Sequence, residues 1–565
     1  MGSRVAGAGV ALLGLGLAGA TLINVHQAPQ TVFYAEFAAA LGVVLAFMAA
    51  MLARPEGLEL RLGVAPWLAL LLGLACLAWG LGSRGLGYPA YLSFFVLAYL
   101  LGAQLRGESW MLTVALGLFG CALLQSLAGL AQLLGWDLGG LVMQKIYRQA
   151  FGNVGQANHY ANLLFLGLAS LAWLHARRLV GWFFLLLLAA WLALAAAASA
   201  SRGAWLYTAA FLVLGLVSLR GDEGARRLGR ALLLAALCSV VAQLLVTYGD
   251  LLDVFGVTTA IERAGDAGSN GQRLYNWLAA WQSIQAHPWL GTGPGSFYQA
   301  SIEAMFHTPP AAFPKFAEHA HNLPLQLAAE FGLPLAVLLI LGLLWWYVHQ
   351  LFRAREAESL WALACVAVIG LHSLVEYPLW YVYFIVPLGL AMGVADATDR
   401  ALPVLHLPRW PGFLLGLVAL LGCLWALHDW HAVRQANRLL TVAEDSASRV
   451  KAAKLLDRVL PWSVLAAHAE GLRLQAWAPE DGGAAAQAAR CDAFWQRKPS
   501  WFMMQRCAQA YALTGQAASL ERIAVAFCDG FRFHRPAVLA WGEEHDAAAT
   551  GLRLAGLACF PPKGR

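Results

Sequence analysis

Runs of about 17 to 25 apolar residues recur along most of the chain, the length a helix needs to cross roughly 30 Å of hydrocarbon. They fall near residues 5–25, 32–53, 65–81, 89–105, 110–134, 159–175, 179–199, 204–219, 231–248, 333–351, 359–376, 379–395 and 411–428. The pattern predicts an all-α polytopic membrane protein with about 13 transmembrane helices. One long polar stretch, Tyr248 to His321, interrupts it. Beyond Trp430 the apolar runs give way to Ala-rich amphipathic segments: Ser446 to Leu460, Ala484 to Gln496, Met503 to Leu513 and Ser519 to Cys528. Breakers at Pro461, Pro479 to Gly483 and Gly515 separate them. This tail is similar in kind to the helical hairpins of tetratricopeptide repeats, without their repeat signature. The expected organisation is a transmembrane domain over 1–428, containing the polar loop 248–332, followed by a helical domain over 429–565.

Composition and charge give the topology a direction. With 60% apolar and 12% charged residues among 565, a water-soluble domain is excluded. Basic side chains concentrate in alternate short loops, at Arg54, Arg61, Arg106, Arg177, Arg178, Arg220, Arg226, Arg227, Arg230, Arg353, Arg355, Arg400 and Arg409. The other short loops keep only Arg84, Lys145, Arg148 and Arg202. The positive-inside rule then places the N-terminus in the cytoplasm, and the long loop and tail on the outer face. The net charge of +6 follows from that bias, and no arginine-rich groove points to nucleic acid. The first apolar run lacks a small-residue cleavage site and is expected to stay as a helix. Cys76, Cys121, Cys238, Cys365 and Cys423 lie in apolar runs and read as packing residues. Cys491, Cys507, Cys528 and Cys559 lie in the tail and are expected to form two disulfides, in any of three pairings.

Candidate chemistry sits where polar residues meet the ends of the apolar runs. The segment FGNVGQANHYAN (Phe151 to Asn162) carries Asn153, Gln156, Asn158, His159 and Asn162. That is more amides than one helix terminus uses, although an interfacial capping loop is the plain alternative. In ASASRGAW (Ala198 to Trp205), Arg202 is either an interfacial anchor or a binding group beside small residues that let something approach the backbone. The long loop holds Arg263 and a predicted helix, Gly271 to Ala286, bearing Gln272, Arg273 and Asn276. Pro288 ends that helix after His287. The turn GTGPGSF (Gly291 to Phe297) lacks the residues of a nucleotide loop. The Pro-rich segment His307 to Pro314 is expected to ride over the membrane as a lid, ahead of a short helix over Leu323 to Phe331.

In EHAHN (Glu318 to Asn322), His319 and His321 are two apart and share no helical face, and no third ligand accompanies them, so no metal is expected. One of them instead suits a proton acceptor, with Asn322 capping the next helix or binding a polar substrate. His372 and Glu376, four apart, are expected on one helical face as a hydrogen-bonded pair or a substrate-binding pair. Arginine binds phosphate bidentately and keeps its charge near lipid. Arg202 and Arg273 with one histidine therefore suit group transfer away from a pyrophosphate, and no acidic metal-binding pair lies on an outer loop.

In order, FGNVGQANHYAN, SRGAW, NGQRLYNW, EHAHNLPLQLAAEFG and HSLVEYPLWY resemble the bacterial protein O-oligosaccharyltransferases, the PglL-type pilin glycosylation ligases, within the superfamily of O-antigen ligases and Wzy-type polymerases. The resemblance is strongest over residues 135 to 395. It implies a GT-C-like helical membrane fold in the bacterial inner membrane, with the active site and tail in the periplasm. It implies metal-independent transfer, without a cofactor, of a preassembled glycan from undecaprenyl pyrophosphate to serine or threonine of exported proteins such as pilins. It assigns His321 as the essential histidine, with His319 able to exchange roles, and Arg202 and Arg273 to the pyrophosphate. Asn153, Gln156, Asn158, His159, His319, Asn322, His372 and Glu376 are left as candidate acceptor- or glycan-binding residues. An O-antigen ligase acting on lipid A–core, a chain polymerase and, more distantly, a lipid-linked glycan transporter are the alternatives.

Overall fold

The computed structural model describes residues 2–530 except 80–86, 105–107, 250–251, 253–254, 258, 261, 263–266, 309–314, 443–444 and 460–462. Arg263, most of the Pro-rich segment expected to act as a lid, and Cys559 lie outside the described residues. Each apolar run folds as a helix. The first group is α1 (Gly2–Leu22), α2 (Phe33–Ala53), α3 (Ala65–Ala78), α4 (Gly87–Gly102) and α5 (Glu108–Leu133). The second is α6 (Ala157–Ala176), α7 (Trp182–Ala197), α8 (Gly203–Ser218) and α9 (Glu223–Tyr248). The polar stretch contributes α10 (Ala267–Ala286), α11 (Phe297–Phe306) and α12 (Leu323–Phe331), and the bundle closes with α13 (Leu333–Arg353), α14 (Ala357–Ser373) and α15 (Val382–Thr398). Among the described residues, five helices are long and apolar enough to cross a membrane: α2, Trp110–Leu133 of α5, α9, α13 and α16 (Arg409–Val442). Shorter apolar helices pack beside them, as expected of an all-helical membrane protein.

Helix α6 is the axis of the site-bearing half. It is buried along almost its whole length and packs between α5, α7, α9 and α14. Its N-terminal residues are therefore inside the bundle, His159 and Asn162 among them. Helix α14 packs in turn on α6, α8 and α15. The amide motif before α6, the tight turn before α8 and the connection after α14 thus meet at one end of the molecule.

The opposite end carries the basic short loops and a different lock. Asp396, fully buried on α15, accepts from Trp346 Nε1 and Gln350 Nε2 of α13 at 2.7 Å each, from Gly63 N–H at 3.1 Å, and from the Tyr99 hydroxyl of α4. Four donors on one carboxylate satisfy a group that would be costly to bury alone. One feature departs from an all-α expectation. The connections after α2 and α15 pair as an antiparallel ribbon, β1 (Leu58–Arg61) with β2 (Val404–Leu407), Leu58 facing Leu407. Both segments are too short to span a membrane and join their unpaired backbone groups instead.

Beyond the bundle, the 34-residue α16 leads into α17 (Ser446–Val459), α18 (Ala466–Gln475), α19 (Ala484–Phe494), α20 (Trp501–Leu513) and α21 (Ala517–Gly530). Trp430 on α16 is buried and stacks on Phe33 of α2 with ring centres 4.6 Å apart. Arg449 binds Glu480 at 2.7 Å and Asp481 at 3.1 Å across the tail. A disulfide joins Cys491 to Cys507, selecting one link among the expected pairings; the Cys528 side chain lies outside the described residues. The tail also grips the polar loop, through Lys498–Glu318 at 3.0 Å, Arg522–Glu303, and Arg522 over the Phe306 ring at 4.4 Å.

Helices α4 and α15 approach until backbone meets backbone. A Cβ at Gly393 would lie 2.2 Å from the Tyr99 carbonyl oxygen, and one at Gly102 would lie 2.2 Å from that of Leu390. Gly393→Ala is expected to destabilise the bundle by about 1–3 kcal/mol, the cost of overpacking a close contact. Gly422→Ala in α16, where nothing lies within 4 Å of the new atom, is expected to leave the melting temperature in detergent unchanged. Thermal unfolding of the two variants checks the pair.

Candidate active site

Three segments, remote in sequence, converge on one carboxylate. Glu376 follows α14 and its side chain is 5% exposed. Its Oε1 accepts from Arg273 Nη2 of α10 at 2.9 Å and from Asn158 Nδ2 of α6 at 2.7 Å. Its Oε2 accepts from His321 Nδ1 at 2.8 Å and, more weakly, from Gln156 Nε2 at 3.4 Å. Ser201 extends the cluster, its hydroxyl donating to Asn158 Oδ1 at 2.9 Å. Arg202 is the next residue, at the N-terminal boundary of α8. Burial pushes the Glu376 carboxyl up, but the hydrogen bond from His321 and the charge of Arg273 outweigh it and hold the group well below the usual carboxylate range.

Local sequence explains each placement. Helix α14 ends at Ser373, and the Pro378–Trp380 3-10 turn redirects the chain, so Glu376 lies past the helix rather than on it. The expected His372–Glu376 face-sharing pair is therefore corrected. Only the Glu376 N–H reaches the His372 carbonyl, at 2.8 Å, while both His372 ring nitrogens are buried without a hydrogen bond. His321 has φ +52°, a left-handed backbone that histidine tolerates better than most residues. It is fixed there from both sides. Asn322 caps α12 through Leu325 N–H at 3.1 Å, and Ala320 N–H donates to Gln326 Oε1 at 2.6 Å. Ala200, at φ +51°, makes the corresponding tight turn before Arg202.

The other candidates fall around this centre or away from it. His319 has a different environment from His321: its ring packs on Tyr377 at 4.4 Å and Trp380 at 4.7 Å, and Nδ1 is buried without a partner. Burial lowers its pKa to about 4, which keeps it neutral. His159 is buried behind the centre, with Tyr381, Phe384 and His372 around its ring at 4.7, 5.1 and 5.3 Å. Asn153 lies apart from Glu376. Both its amide hydrogens go to backbone carbonyls, of Leu22 at 3.1 Å and Leu141 at 2.7 Å, and its oxygen takes Met143 N–H at 3.0 Å. Asn322 spends its oxygen on the cap and its nitrogen on the Leu374 carbonyl at 3.2 Å. The Gly-rich turn is a packing device. Gly291 and Gly332 have positive φ, and a Cβ on either would fall within 2.3 Å of backbone across the α12 end. Tyr377, which meets His321 edge-on at 4.8 Å, Trp380 and Ser201 were not singled out from the sequence. The aromatic cluster EYPLWY beside a proline is the signal that could have found the first two. Among the described residues, no group of three or more His, Cys, Asp and Glu side chains is disposed to hold a metal ion.

The fold and this cluster define a helical membrane protein with a polar centre of arginine, histidine and carboxylate at one end of its bundle. The chain matches the O-antigen ligase family over residues 187–340, the family of protein glycosylation ligases over 150–175, and the C-terminal part of virulence-factor membrane-bound polymerases over 360–527. These matches cover separate stretches, and what they show is similarity to the O-antigen ligases and the protein glycosylation ligases. It is 28% identical to a general O-oligosaccharyltransferase of Acinetobacter baylyi, covering 67% of this chain and 69% of that protein. It is 22% identical to a ComP-specific O-oligosaccharyltransferase of the same organism, over 48% of each chain. The matched segments contain every residue gathered at Glu376.

A depressed carboxyl stabilises the fold above its ordinary pKa and loses that contribution as pH falls below it. The melting temperature in detergent is therefore expected to fall as pH drops below ~4.3. In Glu376→Gln that acid-side loss is expected to be smaller. An identical acid profile would show that the carboxylate is not held as described.

Proposed function

We propose that this protein is a bacterial inner-membrane O-oligosaccharyltransferase that moves a preassembled glycan en bloc from undecaprenyl pyrophosphate to serine or threonine of exported proteins such as pilins. The observation that carries the proposal is the Glu376 cluster, which puts a histidine with a fixed ring beside an arginine and two amides. In this reading all thirteen apolar helices cross the membrane. The short basic loops face the cytoplasm, and the site and the tail face the periplasm. Residues 1–428 form the transferase domain and 429–565 a helical-repeat-like domain of the tetratricopeptide kind.

With Nδ1 donating to the carboxylate, His321 has its lone pair at Nε2, the nitrogen able to take a proton. Transfer is then a direct substitution without metal. The acceptor hydroxyl oxygen bonds to the anomeric carbon as the bond from that carbon to the phosphate oxygen breaks. The hydroxyl proton passes to His321 Nε2, and the pyrophosphate leaves as an anion. Arg273, ordered by Glu376, and Arg202, at the positive end of α8, hold the leaving group. Asn158 and Gln156 position the carboxylate. His319, stacked and neutral, is the less suitable base. Two relatives named as O-oligosaccharyltransferases favour a protein over lipid A–core as acceptor.

His321→Ala is expected to lower transfer about 10²–10⁴-fold, the usual contribution of a general base, with normal membrane insertion. Arg273→Lys is expected to lose about 10²-fold, because a point charge cannot reproduce a bidentate grip on the leaving group. Reconstitution with a lipid-linked oligosaccharide and two acceptors, a pilin and lipid A–core, tests the whole reading by mass. Only the pilin should gain the glycan; transfer to lipid A–core alone would replace this function with that of an O-antigen ligase.

A further inference from the structure

On the far side of Tyr377 from His321 lies a second, polar cavity of about 490 Å³. Its wall comes from five places: the α1–α2 connection with the start of α2, the start of α4, the polar loop, the α14–α15 connection and the tail. Tyr88, Tyr91, Tyr298, Tyr377, Trp380 and Tyr381 line it with aromatic rings. Glu318 supplies negative charge, and Arg497 and Lys498 of the tail supply positive charge. The unpartnered buried Nδ1 of His319 belongs to a residue of this wall. The chamber also adjoins a second, apolar cavity. Gln30, Glu36, Tyr91 and Val464 line both the chamber and this apolar groove of about 670 Å³ between α2, α3, α4 and α16.

We propose, resting on the transferase reading above, that this chamber is the acceptor cleft, and that it takes an extended polypeptide segment lying next to a membrane anchor. The order of contacts supports the side. Arg273 touches Glu376, Glu376 touches His321, His321 meets Tyr377, and Tyr377 stacks on His319 at the chamber wall. Direct displacement at an anomeric carbon brings the nucleophile to the face opposite the leaving group. The arginines hold the leaving group at one end of this series, and the chamber lies at the other. The chemistry fits a polypeptide: aromatic plates hold an extended chain, charges of both signs meet its side chains, and the free His319 nitrogen meets a backbone amide. The adjoining apolar groove, which shares Gln30, Glu36, Tyr91 and Val464 with the chamber, gives the anchor of a membrane-tethered acceptor a place beside its extended segment. The tail's contribution of Arg497 and Lys498 gives that domain a part in acceptor choice.

Steady-state kinetics with a membrane-anchored acceptor protein and a lipid-linked oligosaccharide tests this on Tyr298→Ala and Arg497→Glu. Each is expected to raise KM for the acceptor about tenfold or more, with kcat and the donor KM within about twofold of wild type. The same acceptor cut from its anchor should show a raised KM on the wild-type enzyme. A photo-crosslinking residue in place of Gln299, which lines the chamber, should capture the acceptor and gives a readout independent of turnover. A rise in donor KM instead would make the chamber a glycan site and overturn the proposal, as would unchanged acceptor KM in folded variants without crosslinking. A wild-type enzyme that modifies lipid A–core but no protein would fail the functional reading itself, before any variant is made, and this proposal with it.

Discussion

A buried carboxylate is tolerable only when donors surround it, and Glu376 is the point around which this end of the bundle is arranged. Its four donors come from three places: Gln156 and Asn158 at the start of α6, Arg273 on α10 and His321 in the turn before α12. Sequence proximity does not bring these three places together. The charge costs stability unless all of them arrive together. It therefore acts as a register pin for the polar loop and as an orienting group for His321 and Arg273.

The rest of the architecture serves that arrival. A wholly buried α6 carries its amide motif into the interior, and α14, packed on α6 and α8, ends where its carboxylate can reach. The tail braces the loop from outside through Lys498 and Arg522. At the opposite end Asp396 repeats the same physical solution with neutral donors and no arginine, and it ties α13, α15 and α4 together without leaving a reactive group. Two buried carboxylates thus divide the work: one is saturated by neutral donors and holds helices, the other is charge-paired and holds a site.

Much of this was legible in the sequence. Apolar runs marked every bundle helix, because hydrocarbon leaves the backbone no other choice, although among the described residues five helices are long and apolar enough to cross a membrane. Asn322 and Pro324 marked the start of α12 as capping rules require. Arg273 and His321 could be picked out as ionisable groups in a polar stretch. The partnership at Glu376 could not. Spacing suggested His372 as its neighbour, but the helix stops at Ser373, and a helical period says nothing about a side chain beyond the helix. Asn153 looked like a site amide and is spent on backbone groups, a difference that only a full account of hydrogen bonds reveals. The β1–β2 ribbon and the chamber behind Tyr377 depend on segments hundreds of residues apart meeting in space, which periodicity does not encode.

The central claim is that Glu376 acts on turnover through His321. A double-mutant cycle on reconstituted transfer measures this directly, using His321→Ala, Glu376→Gln and the pair. The account predicts strong non-additivity, with the double variant no slower than His321→Ala alone, as for residues acting as one unit. Independent effects that multiply in the double variant would contradict it.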